Sequence, residues 1–285
     1  MATHPLPPES LRDLAEAYAG TFKAVIDLGF TCHDEDFALE TDCPGWTVKD
    51  QFSHVAGVEA AGAGVHDPQV SVPDYPHLRH DFAREIEKAV EVRRPRTGSQ
   101  VVAELQRLLP DRLAVLAGED LEPDTVLTGP LGEMPAVDLL ALRTVDLWVH
   151  EQDIRGALGR PGNLDSPAAA LFVSKVLAGF PGRAARKAGL PVGTVVILES
   201  TGPVTAREGI RIVAGDDPEK PLAEPLFSGD SDGHGYPESV TTIRLTTEAL
   251  TRLGAGRKRA DEVHYSVEGD DDVARRVLDV LTITP

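Results

Sequence analysis

The chain has 285 residues, more than one small core needs, so two domains are expected. Its formal net charge of -18 argues against nonspecific nucleic-acid binding and against docking on an anionic membrane surface. No apolar run is long enough to span a bilayer, the start Met1-Ala2-Thr3-His4-Pro5 lacks the basic and apolar regions of a signal peptide, and two cysteines make no disulfide framework, so a cytoplasmic location is expected.

The N-terminal half reads as helices. Pro7-Pro8-Glu9-Ser10 leads into Leu11, Leu14, Tyr18, Phe22, Val25 and Leu28, spaced near the helical period, and Gly29 ends the run. The loop from Thr31 to Gly45 is acidic and finishes on Cys43-Pro44-Gly45-Trp46. Cys32 and Cys43 lie in or beside it, where a structural or incidental role is expected, and Trp46 reads as a packing residue near a helix start. Thr47 then looks like an N-cap, with Asp50 three residues on completing a capping-box variant. The helix it opens carries Val48, Phe52, Val55 and Ala56 on one face, with His54 at the edge of that face. Glu59 projects into the same apolar stripe, where an unpaired carboxylate is costly. Either a metal-ligating histidine or an arginine of the bundle would serve as its partner. After a Pro-rich loop from Pro68 to Pro76, two further helices are expected, from about His80 to Val92 and from about Gly98 to Leu116.

The segment from about Pro135 to Leu158 is the longest apolar helix candidate and is apolar on several sides, as expected of a helix buried in a bundle. Arg143, Asp146 and His150 share a face with Leu139, Leu147 and Ile154, and Asp153 extends the polar stripe. Asp146 and His150 stand at i and i+4, so the two side chains can reach one point together. A third ligand from a facing helix, such as His54, would close a site of two imidazoles and one carboxylate. That set suits zinc and leaves a coordination position open. The bland alternatives are an Asp146–His150 hydrogen bond within a buried helix and a His54 satisfied by a hydrogen bond in the bundle. Asp153 and Arg155 are expected to make a structural pair or an interdomain contact. His33, His66, His77, His80, His234 and His264 have no ligand spacing, so surface or loop roles are expected for them.

Gly159-Arg160-Pro161-Gly162 stops the long helix and is the natural boundary between a domain over residues 1–160 and another over residues 161–285. Beyond it Ser166-Pro167 opens a helix to about Phe180. Strands are expected over residues 194–199, 210–213, 240–245 and 263–267, with helices over 247–253 and 271–281. Gly202-Pro203 reads as a turn, and the Gly-, Pro- and acid-rich stretch from Asp216 to Pro237 as a loop or an insertion. The second half is therefore an α+β domain with a mostly antiparallel sheet, and the whole chain is α+β.

Two runs carry a resemblance. Asp42-Cys43-Pro44-Gly45-Trp46-Thr47-Val48, followed by Ser53-His54-Val55-Ala56-Gly57, resembles the second-helix signature of the mycothiol-dependent maleylpyruvate isomerase family. So does Asp146-Leu147-Trp148-Val149-His150-Glu151-Gln152-Asp153-Ile154-Arg155 with the Gly159-Arg160-Pro161 that follows. The resemblance extends in domain order over nearly the whole chain. It implies a DinB-like four-helix bundle holding a divalent metal, usually zinc, and a smaller C-terminal α+β domain related to sterol-carrier-like folds. It implies His54, Asp146 and His150 as the metal ligands, with Asp146 standing where the founding isomerase has glutamate and reaching one methylene less far. It also implies an arginine of the second domain near the metal as a clamp for a substrate carboxylate. Arg257, in Gly254-Ala255-Gly256-Arg257, is the residue chosen for that role, against the alternative of a solvent-exposed arginine.

The chemistry of such a site is open. Two neutral imidazoles and one carboxylate leave a divalent cation with net positive charge, which stabilises thiolate over thiol. With mycothiol as cosubstrate, addition of a metal-bound thiolate to an electrophilic double bond, rotation and elimination would isomerise the substrate, whereas attack without elimination would make a thiol conjugate. The same site could activate water for hydrolysis. A third possibility is a noncatalytic carrier, with an apolar ligand in the second domain and a structural metal in the bundle.

Overall fold

The computed structural model describes residues 4–116, 118, 121–217, 220–226 and 239–284. They fall into two compact units, Pro8–Gly162 and Asn163–Pro285, the second also taking in the segment ahead of Pro8.

The first unit is helical. Helix α1 spans Leu11–Phe30 and opens on a reciprocal cap, in which the Ser10 hydroxyl accepts from the Asp13 N–H and the Asp13 carboxylate accepts from the Ser10 N–H. Helix α2, Val48–Gly62, opens the same way on Thr47 and Asp50. Helices α3 (Asp81–Arg93), α4 (Gly98–Leu116) and α5 (Ala136–Leu158) follow, and Gly159 ends α5 at φ 63°, a left-handed cap that suits glycine. Helices α1, α5, α2 and α4 close a four-membered ring in which each packs on the next, while α3 lies against α2. Gly57 permits that last approach, because a Cβ there would run into Ala89. Tyr18, Phe22 and Val25 of α1, Phe52 and Val55 of α2, Val101 and Leu105 of α4 and Leu140 and Leu147 of α5 are wholly buried in the bundle. Each large apolar side chain contributes roughly 1.5–3 kcal/mol by leaving water.

One polar hub joins all four helices of the ring. The Glu59 carboxylate of α2, fully buried, accepts at Oε2 from the Tyr18 hydroxyl of α1 (2.6 Å) and from Arg112 Nε of α4 (2.7 Å). At Oε1 it accepts from Arg143 Nε (3.0 Å) and Nη2 (2.6 Å) of α5. The bundle-arginine reading of Glu59 is the one observed.

In the second unit, helix α6 (Pro167–Lys187) leads to a five-stranded sheet. The first unit holds a short hairpin of β1 (Val126–Gly129) and β2 (Gly132–Pro135), so the strands of this sheet are β3 (Val195–Thr201), β4 (Thr205–Val213), β5 (Leu222–Pro225), β6 (Thr241–Leu245) and β7 (Tyr265–Glu268), in the order β5-β4-β3-β6-β7. Only the β3–β6 pairing is parallel, so the sheet is mostly antiparallel. Helix α6 packs on β4 and β5, α7 (Thr247–Gly254) on β3 and β6, and α8 (Asp271–Leu278) on β6 and β7.

Several elements depart from the sequence reading. A hairpin, β1 (Val126–Gly129) with β2 (Gly132–Pro135), precedes α5 where no strand is expected; its strands are four residues each and largely exposed, so no apolar alternation marks them. Helix α6 continues to Lys187 through Pro181, beyond the stop expected at Phe180. Strand β4 begins at Thr205 because its polar first half pairs with the end of β3. Strand β5 falls within the stretch read as a loop, and residues 218–219 and 227–238, including His234, lie outside the described residues. No helix among the described residues is long and apolar enough to cross a membrane.

Candidate metal centre

The period of α5 and the packing of α2 against it bring three side chains to one point. His54 of α2 and Asp146 and His150 of α5 each offer a ligand atom, and these atoms lie within 4.8 Å of one another. It is the one such group of histidine, cysteine and acidic side chains found among the described residues. His54 Nε2 is 3.7 Å from Asp146 Oδ2, and His150 Nε2 is 3.6 Å from Asp146 Oδ1. Both distances are too long for hydrogen bonds, so the intrahelical Asp146–His150 bond is not what holds the pair. The two imidazole centroids are 4.5 Å apart.

The donor set suits a cation. Both ring nitrogens of His54 are buried without a hydrogen-bond partner, a costly arrangement for polar atoms that a bound ion at one nitrogen would partly relieve. Burial, with the nearby His150 adding to it, pushes the His54 pKa down to about 4. The imidazole is therefore neutral at neutral pH, with a lone pair to give. Desolvation acts to raise Asp146, but the Arg143 charge and then His150 outweigh it and hold the carboxyl well below its ordinary value. The cluster thus combines two nearly buried rings with one charged carboxylate, whose side chain is 29% exposed.

Supporting contacts surround the three side chains. Arg143 Nη1 donates to Asp146 Oδ2 at 2.8 Å while the rest of its guanidinium grips Glu59. His150 Nδ1 lies 2.6 Å from Gln51 Oε1 and 3.7 Å from Asp153 Oδ2. The Trp46 indole lies 5.1 Å from the His54 ring and 5.9 Å from the His150 ring, and its Nε1 donates to the buried Glu87 at 2.8 Å. Trp46 is therefore a wall of the cluster as well as a packing residue. The sequence alone does not assign Gln51 and Trp46 to the site; the one signal for Gln51 is its spacing, three residues before His54 on one helix.

The remaining residues distribute as follows. Arg155 pairs with Glu151 at 2.7 Å, and Asp153 Oδ2 lies 3.7 Å from His150 Nδ1. His80 caps α3 by accepting from the Ala83 N–H, and His77 lies 3.2 Å from Glu87. Cys32 and Cys43 are not joined in a disulfide, and both are half-buried. Arg257 belongs to the second unit, just past α7, where its Nη1 donates to the Ala255 carbonyl at 3.0 Å.

The ring of four helices makes the first unit a four-helix bundle, with three side chains that could hold a metal ion converging from two facing helices. The model of the mycothiol maleylpyruvate isomerase N-terminal domain matches residues 18–155, so the helical unit belongs to that domain family, and the matched stretch contains all three clustered side chains. Among solved structures it is similar to the mycothiol-dependent maleylpyruvate isomerase, with 16% identity and a TM-score of 0.51 over 90% of this chain and 93% of that one. A histidine-to-alanine mutant of that isomerase gives 15% identity and a TM-score of 0.52 over the same shares. At such identity the likeness is one of fold. No curated protein matches the chain in sequence.

Proposed function

We propose that the chain is an enzyme in which His54, Asp146 and His150 hold one divalent cation, zinc by ligand type, and in which mycothiol is the cosubstrate for attack on a small electrophile. The observation that carries this reading is the convergence of His54, with both ring nitrogens buried and unpartnered, on a charged carboxylate and a second imidazole. A cation bound there would supply Lewis acidity, favouring thiolate over thiol at neutral pH.

The protein's own groups would do the rest. Two neutral imidazoles and a single carboxylate preserve net positive charge at the centre, which favours an anionic sulfur. Arg143 keeps the Asp146 carboxylate ionised and oriented. Trp46 lies beside both imidazoles, where its apolar indole would help keep water from a bound cation. Arg257 is the proposed clamp for a substrate carboxylate, its planar fork matching the two oxygens. Thiolate addition to a conjugated double bond, rotation about the resulting single bond and elimination of the same thiolate would return an isomer with no net change of atoms. Addition followed by protonation would leave a thioether.

The test is a panel of mycothiol, bacillithiol and glutathione added to the cobalt-substituted protein. A sulfur-to-cobalt charge-transfer band that forms with mycothiol supports the reading. Absence of a band together with turnover in thiol-free buffer would mean a hydrolase, and retained metal with neither band nor turnover would mean a structural ion in a carrier.

A further inference from the structure

We infer that Gln51 is a positioning residue that sets the tautomer of His150, placing its proton on Nδ1 and its lone pair on Nε2. The inference deepens the proposed metal reading, since it concerns how one of the three ligands is prepared. Gln51 is fully buried on α2, and its side chain bridges the 41–46 loop and α5.

The polarity follows from the order of donors and acceptors. The Thr41 hydroxyl has one proton, and it donates to the Trp46 carbonyl at 2.9 Å. Its oxygen then accepts from the Cys43 N–H at 3.2 Å and from the Gln51 amide nitrogen at 2.8 Å. With the Gln51 NH2 committed to Thr41, Oε1 is the end that faces His150 Nδ1, at 2.6 Å. An amide oxygen only accepts, so Nδ1 carries the hydrogen. The 2.6 Å separation is that of a hydrogen bond, whereas the carboxylates nearest the two ring nitrogens, Asp153 at 3.7 Å from Nδ1 and Asp146 at 3.6 Å from Nε2, are beyond that reach and nearly balanced. His150 Nε2, on the other side of the ring, is left unprotonated and facing the cluster. The reversed amide would turn NH2 toward Nδ1 and put the proton on Nε2, where it would occupy the place of an ion.

The choice of amide has a further consequence. A carboxylate at position 51 would draw the Nδ1 proton more strongly and add negative charge beside the ligand, whereas glutamine fixes the tautomer and leaves the cluster's charge unchanged.

The experiment is long-range proton–nitrogen NMR of the full-length, metal-free protein labelled with 15N-histidine at neutral pH, with the His150 signals assigned by their loss in His150→Asn. The expected spectrum has His150 protonated at Nδ1. In Gln51→Leu the Nε2-protonated form should rise and zinc affinity, measured by competition with a chromophoric chelator, should fall about 10–100-fold. Gln51→Glu, which keeps the acceptor, should restore the Nδ1 tautomer and most of the affinity. Wild-type His150 protonated at Nε2, or a Gln51→Leu spectrum unchanged from wild type, would overturn the inference. A wild-type protein with the Nδ1 tautomer but no zinc affinity would overturn the metal reading and leave the tautomer assignment standing.

Discussion

Arg143 Nη1 lies 2.8 Å from Asp146 Oδ2, less than one turn along the same helix, so the carboxylate of the cluster is oriented by a charge that is itself buried. The guanidinium is held in turn by Glu59, whose carboxylate meets all four helices of the ring. The candidate centre and the core of the bundle therefore share one ionic network, and a change at either end is felt at the other.

Metal content is the first consequence. The tag-free protein is expected to carry about one divalent ion per chain, a typical complement for a two-histidine, one-carboxylate site. His54→Ala and His150→Ala should each abolish tight binding. Asp146→Asn should weaken it by removing the cluster's negative charge, and Asp146→Glu should retain it. Elemental analysis after dialysis decides, and unchanged content in both histidine variants would remove these residues from the site.

Glu59→Gln should destabilise the bundle at pH 7 by several kcal/mol, on the order of 3–5, because Arg112 and Arg143 would be left buried without their full counter-charge. The sign with pH follows from the Glu59 carboxyl. Burial acts to raise its pKa, but Arg143 and Arg112 outweigh it, and the group sits below its ordinary 4.5. A depressed folded pKa means stability that is full above the ordinary value and is lost as pH falls through the folded one. The wild-type advantage over Glu59→Gln should thus shrink below about pH 4.5, as denaturant titrations at pH 7 and pH 3.5 would show. A gap that widens on acidification would contradict the assignment.

The cysteines are not expected to take part. Cys32 donates its thiol to the Leu28 carbonyl, and burial, with the Asp36 charge adding to it, pushes its pKa up, so it is no ready thiolate. The double variant Cys32→Ser, Cys43→Ser should keep nearly full thiol-dependent activity. A loss beyond tenfold, with metal content intact, would assign one of them a chemical role.

Arg257→Lys should lower turnover more than it lowers metal content, since a lysine keeps the charge and loses the planar two-point grip. Steady-state kinetics and elemental analysis on the same preparation separate the two effects. Equal losses of both would point to a structural part for Arg257.

Much of the centre was legible in the sequence because helix geometry is rigid. Asp146 and His150 had to share a face once α5 was recognised, and the Thr47–Asp50 box marked where α2 begins and so placed His54 on its surface. Gln51, Trp46 and Arg143 were harder, because their roles depend on how α2 and α5 pack and on the path of the 41–46 loop, which no local period encodes. In the second unit the same limit hid β5, a short edge strand defined by its neighbour β4 within an acidic, Gly- and Pro-rich stretch. Helix α6, expected to end at about Phe180, runs on through Pro181 and carries buried Ala184 and Ala185 into the core.

Trp46 has one more consequence. Its indole lies tilted against both imidazoles of the cluster, and the chain's other tryptophan, Trp148, is the sole indole background. The protein therefore carries a built-in optical gauge. Its ultraviolet emission can follow the filling and emptying of the cluster in real time, with no dye and no label.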